Sequence, residues 1–208
     1  GCAVSREGDA VTVDATQPTG CHVPDELMRE MRSSVIFLGA VLGRMGEAVM
    51  SYPGGCELGP RPIDLHLAAL RALGAEIRER AGTLHCAGRL EGCDITLTIP
   101  SVGATENAML AAVAARGTTT IVNAAREPEI ADLQGFLRSL GADVRGAGSS
   151  TITVRGGIPL HGGTYTVMGD RIVACTYLAA AAAAGGEVAV TGCDYRHLST
   201  VTAVLAEG

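Results

Sequence analysis

Apolar and polar positions along this chain alternate in a repeated order. "VIFLGAVLGRMGEAVM" from Val35, "ENAMLAAVAARGTTTIV" from Glu106 and "TYLAAAAAAGGEVAV" from Thr176 each read as an apolar helix, a glycine stop and a β-rich run. The stops are Gly46, Gly117 and Gly186, spaced 71 and 69 residues apart. Between the first two runs, and again after the second, lies an amphipathic stretch. In Asp64 to Leu73 the leucines 65, 70 and 73 fall near one helical face, and in Glu129 to Leu140 so do Ile130, Leu133, Leu137 and Leu140. Both stretches close on Leu-Gly-Ala and pass into a strand hairpin, over Ala75 to Ala87 and Ala142 to Arg155. "GCAV" at Gly1 matches "LGAEI" and "LGADV" with its front removed, and the glycines 1, 74 and 141 lie 73 and 67 apart. The repeated unit is βαβαββ-like. It predicts an α/β fold with apolar helices inside and strands over them. Most of one unit, one full unit and the start of another are present.

Composition narrows this further. A chain of 208 residues, 47% hydrophobic and 18% charged, suits one or two globular domains. The net charge of −6 disfavours a nucleic-acid partner. All sixteen basic residues are arginine, so no Walker phosphate loop, Schiff-base lysine or Ser-x-x-Lys hydrolase site is complete within the chain. The seven cysteines form no Cys-x-x-Cys pair and read as reduced thiols. Cys21, Cys86, Cys93 and Cys175 are expected to be buried small hydrophobes, and the histidines at 66, 85, 161 and 197, without metal-ligand spacing, to take core or surface roles. No signal peptide is visible, and the apolar run Leu178 to Ala184 falls far short of the roughly 20 residues that span a bilayer.

Candidate chemistry gathers in four places. "YPGGCELGPRPIDLH" sets Cys56 among glycines and prolines, in a segment that is neither helix nor strand. A thiol there is an acid at neutral pH, or a nucleophile once nearby cations lower its pKa. The plain alternative is an exposed thiol. Arg61 has a guanidinium that forks onto phosphate oxygens, or simply caps a loop. Asp64 reads also as the N-cap of the helix to Leu73. Arg32, in "MRSS", precedes an apolar helix, where an anionic ligand would offset its unfavourable meeting with the helix dipole; otherwise it is an exposed helix-end arginine. "PSVGATEN" sets Ser101, Val102 and Gly103 before a helix whose first N–H groups suit an anion, unless Ser101 or Thr105 only caps it. In "NAAREPEIADL", Arg126 and Glu129 are expected to pair locally.

These same stretches carry a family likeness. "MRSSVIFLGAVLGRMGEAVMSYPGGCELGPRPIDLHLAALRALGAEI", "PSVGATENAMLAAVAARGTTTIVNAAREPEIADL" and "DRIVACTYLAAAA" resemble the enolpyruvyl transferase family, on its UDP-N-acetylglucosamine branch. The likeness covers essentially the whole chain, and Gly-Gly-Cys followed by Gly-x-Arg-Pro-x-Asp-Leu-His is its most specific part. It implies an inside-out α/β barrel of repeated βαβαββ units, here incomplete. Residues 1–168 would be part of the first domain, with the cysteine loop, and 169–208 the linker and start of the second.

The implied reaction moves the enolpyruvyl group of phosphoenolpyruvate to the 3'-hydroxyl of UDP-N-acetylglucosamine and releases phosphate, a first step toward peptidoglycan in the bacterial cytoplasm. The resemblance makes Cys56 the acid for the methylene carbon and the residue alkylated by fosfomycin. It sets Arg32, Arg61, Pro62, Ile63, Asp64, Leu65, Pro100, Ser101, Val102 and Gly103 around the substrates. It implies no cofactor, no metal, no membrane partner, and a monomer when complete. The family's upstream Lys-Asn, its acidic base and its second-domain arginines are not in the sequence, so this stretch alone is expected not to turn over. Two positions depart from the pattern. "GDRIVAC" at Gly169 stands where the family has Pro-Asp-Arg-Ile-Glu-x-Gly, and Glu57, beside Cys56, replaces an uncharged residue and is expected to raise the thiol pKa. Two other functions fit some of the same residues: an enolpyruvyl transferase for another alcohol, and a non-catalytic nucleotide-sugar-binding paralogue.

Overall fold

The computed structural model describes residues 2–54 and 62–207. Cys56 and Arg61 lie outside the described residues. The elements run β1 (Ala3–Glu7), β2 (Ala10–Asp14), α1 (Asp25–Glu30), a 3-10 turn (Arg32–Ile36), α2 (Phe37–Met45), β3 (Glu47–Ser51), α3 (Asp64–Ala72), β4 (Glu76–Arg80), β5 (Thr83–Ala87), β6 (Asp94–Thr96), α4 (Val102–Ala114), β7 (Gly117–Val122), α5 (Pro128–Ser139), β8 (Asp143–Arg145), β9 (Thr151–Gly156), α6 (Arg171–Ala184), a second 3-10 turn (Tyr195–Leu198) and α7 (Ser199–Glu207).

The complete unit is β6-α4-β7-α5-β8-β9, which is βαβαββ in order. Its sheet has the order β6-β7-β9-β8, with β6 parallel to β7 and the other pairs antiparallel. The preceding unit repeats it as β3-β5-β4, and a single parallel bridge from His22 to Val49 stands where β6 stands in the next. The β1-β2 hairpin, antiparallel and exposed along both strands, stands at "GCAV", as β4-β5 and β8-β9 stand after the two Leu-Gly-Ala turns.

The core lies between the helices. Eight of the thirteen residues of α4, among them Thr105, Asn107, Ala108, Met109 and Ala112, are buried, so most of this helix lies inside the core. Alanine dominates it because close neighbours leave no room for larger side chains. Helix α2 reaches α4 through Gly39 and Gly43. A Cβ on Gly39 would lie 2.5 Å from the Asn107 backbone oxygen, and one on Gly43 would lie 2.7 Å from the Ala114 Cβ. From α3, Leu67, Leu70 and Leu73 enter the core, with Leu65 at its edge; from α5, Ile130 and Leu137 enter, with Leu133 at the edge.

Several expectations need correction. Gly46 does end α2, in the left-handed conformation with its N–H on Leu42, but α4 ends on extended Ala115 and α6 on Gly185. Gly117 opens β7 instead, at φ 90°. The run after Gly186 forms no strand among the described residues, because no strand lies alongside to share its hydrogen bonds. Cys86 is buried, but Cys21, Cys93 and Cys175 are only partly covered; the Cys21 and Cys93 thiols hydrogen-bond Glu47 and the Ala72 carbonyl. Glu129 pairs with Arg171 on α6 and not with Arg126, its near neighbour. Asp64 is the first residue of α3, after an Ile63 cap, and its carboxylate caps nothing; there it faces the positive end of the helix dipole.

Candidate functional site

Three separate elements converge on one cavity of about 660 Å³. Arg32 enters from the 3-10 turn before α2, Pro62 and Leu65 from the start of α3, and Ser101 and Gly103 from the start of α4. Five of the residues expected to bind substrate therefore share a wall, although they are up to 71 positions apart in sequence. The Arg32 Nη2 donates to the Pro62 carbonyl at 3.0 Å, tying the turn to the α3 entrance. The Ser101 hydroxyl accepts the Ala104 N–H at 3.4 Å, so the capping role holds. The positive end of thirteen-residue α4 then opens beside Arg32. Backbone N–H groups and a guanidinium on one wall make a place for an anion.

The remaining expected residues fall around this wall. Ile63 is 2% exposed and belongs to the core, Asp64 is exposed, Pro100 is exposed just ahead of the Ser101 cap, and Val102 packs against the core edge. Carboxylates also face the cavity, from Glu30 and Glu106. Burial, with the charge of Glu129 behind it, holds the Glu106 carboxyl above its usual range.

His66 lines the cavity too, although its spacing to other ligand-type residues pointed to a plain core or surface role. It is 7% exposed. Desolvation, then the nearby Arg32 charge, pushes its pKa down to about 4 against the opposing pull of Asp64, so the ring is neutral at pH 7. The sequence signal was its place on the first turn of α3, directly after the Arg61 to Leu65 stretch. Its partner, Asn107, sits 41 positions away on α4, 3.1 Å from Nδ1.

A smaller apolar cavity of about 340 Å³ adjoins the first through Ile36 and Glu106. Phe136 and Tyr165 meet edge to face across it, centroids 5.7 Å apart, and the Tyr165 hydroxyl donates to Asp132. Another cavity, of about 470 Å³ between α6 and residues 188–193, holds none of the expected residues, and its size alone assigns it no chemistry. Among the described residues no cluster of three metal-ligating side chains occurs, and no helix is long and apolar enough to cross a membrane.

Comparison with known proteins agrees with this architecture. The family model described as EPSP synthase (3-phosphoshikimate 1-carboxyvinyltransferase) matches residues 1–207. UDP-N-acetylglucosamine 1-carboxyvinyltransferase 2 of Caldanaerobacter subterraneus subsp. tengcongensis is 51% identical over 208 residues, which is 100% of this chain and 50% of that protein. UDP-N-acetylglucosamine 1-carboxyvinyltransferase 1 of Symbiobacterium thermophilum is 52% identical over 96% of this chain and 46% of its own length. Among solved structures, the enolpyruvyl transferase NikO from Streptomyces tendae superposes with a TM-score of 0.72 at 26% identity, covering 86% of this chain and 43% of that one. EPSP synthase from Acinetobacter baumannii gives 0.65 at 25% identity, covering 88% and 42%. The chain spans about half the length of the relatives it matches. With its βαβαββ units and a family match over nearly every residue, the chain belongs to the EPSP synthase family of enolpyruvyl transferases.

Proposed function

We propose that the complete protein transfers the enolpyruvyl group of phosphoenolpyruvate to the 3'-hydroxyl of UDP-N-acetylglucosamine. The observation that carries this reading is the shared wall of Arg32, Pro62, Leu65, Ser101 and Gly103, residues that the sequence resemblance set around the substrates. It is supported by relatives named as UDP-N-acetylglucosamine 1-carboxyvinyltransferases at about half identity.

On this reading Arg32 and the α4 N-terminus hold anionic oxygens of the nucleotide sugar, and Pro62 and Leu65 give the apolar part of the wall. Cys56, from the segment between β3 and α3, delivers a proton to the methylene carbon of phosphoenolpyruvate. The sugar hydroxyl, giving its proton to a base, attacks the adjacent carbon, and the tetrahedral adduct then loses one methyl proton together with inorganic phosphate, which restores the methylene. Arg61 balances the phosphate charge. Residues 1–168 form part of one domain and 169–208 begin a second, which supplies the acidic base and further arginines. The chain alone lacks those groups and does not turn over.

The test is phosphate release from phosphoenolpyruvate by the complete protein, with and without UDP-N-acetylglucosamine, beside a Cys56→Ala variant. Release that requires the sugar nucleotide and is lost in the variant supports the transferase. Binding of the sugar nucleotide without release supports a non-catalytic paralogue.

A further inference from the structure

We propose that Asn107 is a positioning residue that locks His66 in its Nε2–H tautomer, so that a neutral imidazole presents one hydrogen-bond donor to an acceptor oxygen of the ligand in the large cavity.

The assignment follows from backbone groups whose roles are fixed. The Gly39 N–H can only donate, and it meets one end of the Asn107 amide at 2.6 Å. That end is therefore the oxygen. The Val35 carbonyl can only accept, and it meets the other end at 3.0 Å. That end is therefore the NH₂ group. Its second hydrogen points to His66 Nδ1, 3.1 Å away. Nδ1 must accept, and the ring proton is on Nε2.

The free edge of the ring faces the cavity. Nε2 has no hydrogen-bond partner among the described residues, while His66 and Gly103 both line the cavity wall. A Cβ on Gly103 would lie 3.0 Å from Cε1 and 3.4 Å from Nε2, so the glycine is what leaves this edge uncovered. Arg32 from the turn before α2, Asp64 on α3 itself, Glu30 from α1 and Glu106 from α4 are the charged groups around it. Burial and Arg32 keep the ring uncharged. A neutral donor of fixed direction suits a carbonyl, hydroxyl or ester oxygen, and it adds no charge to the wall that Arg32 already serves. The arrangement also ties the site to the frame, because Gly39 and Val35 belong to the α2 region and Asn107 to α4.

The ligand half of this proposal rests on the nucleotide-sugar reading; the tautomer half does not. The first measurement is two-bond ¹H–¹⁵N correlation on the complete protein with ¹⁵N-labelled histidine. A protonated Nε2, an accepting Nδ1 and no titration near pH 6.5 are expected. A protonated Nδ1, or an ordinary titration, overturns the lock. The second measurement compares UDP-N-acetylglucosamine binding by calorimetry in His66→Asn and His66→Gln. Asparagine replaces Nδ1 and keeps the Asn107 contact, whereas glutamine replaces Nε2 and keeps the donor. His66→Asn is expected to lose about tenfold in affinity with its urea midpoint retained, and His66→Gln to stay within about threefold of wild type. Equal affinities in the two variants overturn the donor role. A wild-type protein that binds no UDP-N-acetylglucosamine overturns the functional reading and the donor role with it, while the correlation spectrum still decides the lock.

Discussion

Arg171 grips Glu129 at two points, Nε to Oε1 at 2.8 Å and Nη2 to Oε2 at 3.3 Å, across 42 residues of chain. The contact joins the first turn of α6 to the first turn of α5, and both side chains are about one-third exposed. Asp170, immediately before it, caps α6 by accepting the Ile172 and Val173 N–H groups. The altered "GDRIVAC" stretch therefore still has a capped helix start and an anchor. A double-mutant cycle with Arg171→Gln and Glu129→Gln is expected to give a coupling of about 1 kcal/mol that weakens in salt. Urea unfolding at low and high salt checks it.

Three glycines of the α2 region should respond differently to alanine. Gly39→Ala drives a Cβ into the Asn107 backbone, which cannot yield, and is expected to cost about 3 kcal/mol or more. Gly43→Ala presses on the Ala114 methyl at 2.7 Å, with the Leu110 carbonyl at an ordinary 3.9 Å, and should cost about 1–3 kcal/mol. Gly46→Ala meets nothing within 4 Å, but its φ of 76° charges the substitution about 1–2 kcal/mol of backbone strain. Urea midpoints of the three variants test the ranking.

Acid should weaken the fold through His66. The folded-state pKa is about 4, below the unfolded value near 6.5, so the unfolded chain takes up the proton first. The stabilising effect is complete above pH 6.5 and is lost as pH falls toward 4, in total roughly 3 kcal/mol and about 2 kcal/mol by pH 5. A His66→Asn variant, which has nothing to titrate there, should show a shallower loss between pH 7 and pH 5. Parallel slopes for the two proteins would refute this.

Gly103→Ala should act on binding more than on stability. Its new methyl presses on the Cε1 edge of His66 and narrows the cavity beside the donor. The expected result is about a tenfold rise in the dissociation constant for UDP-N-acetylglucosamine, read by calorimetry on the complete protein.

Ser101→Ala removes the side-chain cap of α4. Because that hydrogen bond is long at 3.4 Å, the loss should be small for a cap, about 0.5–1 kcal/mol in a urea titration.

Local structure was readable wherever a local rule decided it. The strand Glu47–Ser51 and the helix from Asp64 follow from a left-handed glycine and from leucine spacing. Other features depend on partners far along the chain. The three-residue strand Asp94–Thr96 exists because β7 lies parallel to it, and residues 187–190 stay out of a sheet because no strand among the described residues lies alongside. The same holds at the site. Short motifs single out Arg32, Pro62, Ser101 and Gly103, which the fold gathers on one cavity wall, whereas no motif marks the contact of His66 with an amide 41 residues away that two backbone groups hold. Sequence proximity pairs Glu129 with Arg126, whereas the fold brings it to Arg171.

Helix α4, buried along most of its length, has a consequence for how binding energy is distributed. Its first turn is the floor of the cavity, and it cannot tilt or slide without repacking both units at once. Its amides should be among the slowest in the chain to exchange with deuterium, whether or not ligand is bound. A ligand seated on Ser101 and Gly103 therefore meets a surface already in place, and little of its affinity is spent on ordering that surface. Any closure over the ligand has to come from segments on the opposite side, moving against a floor that stays still.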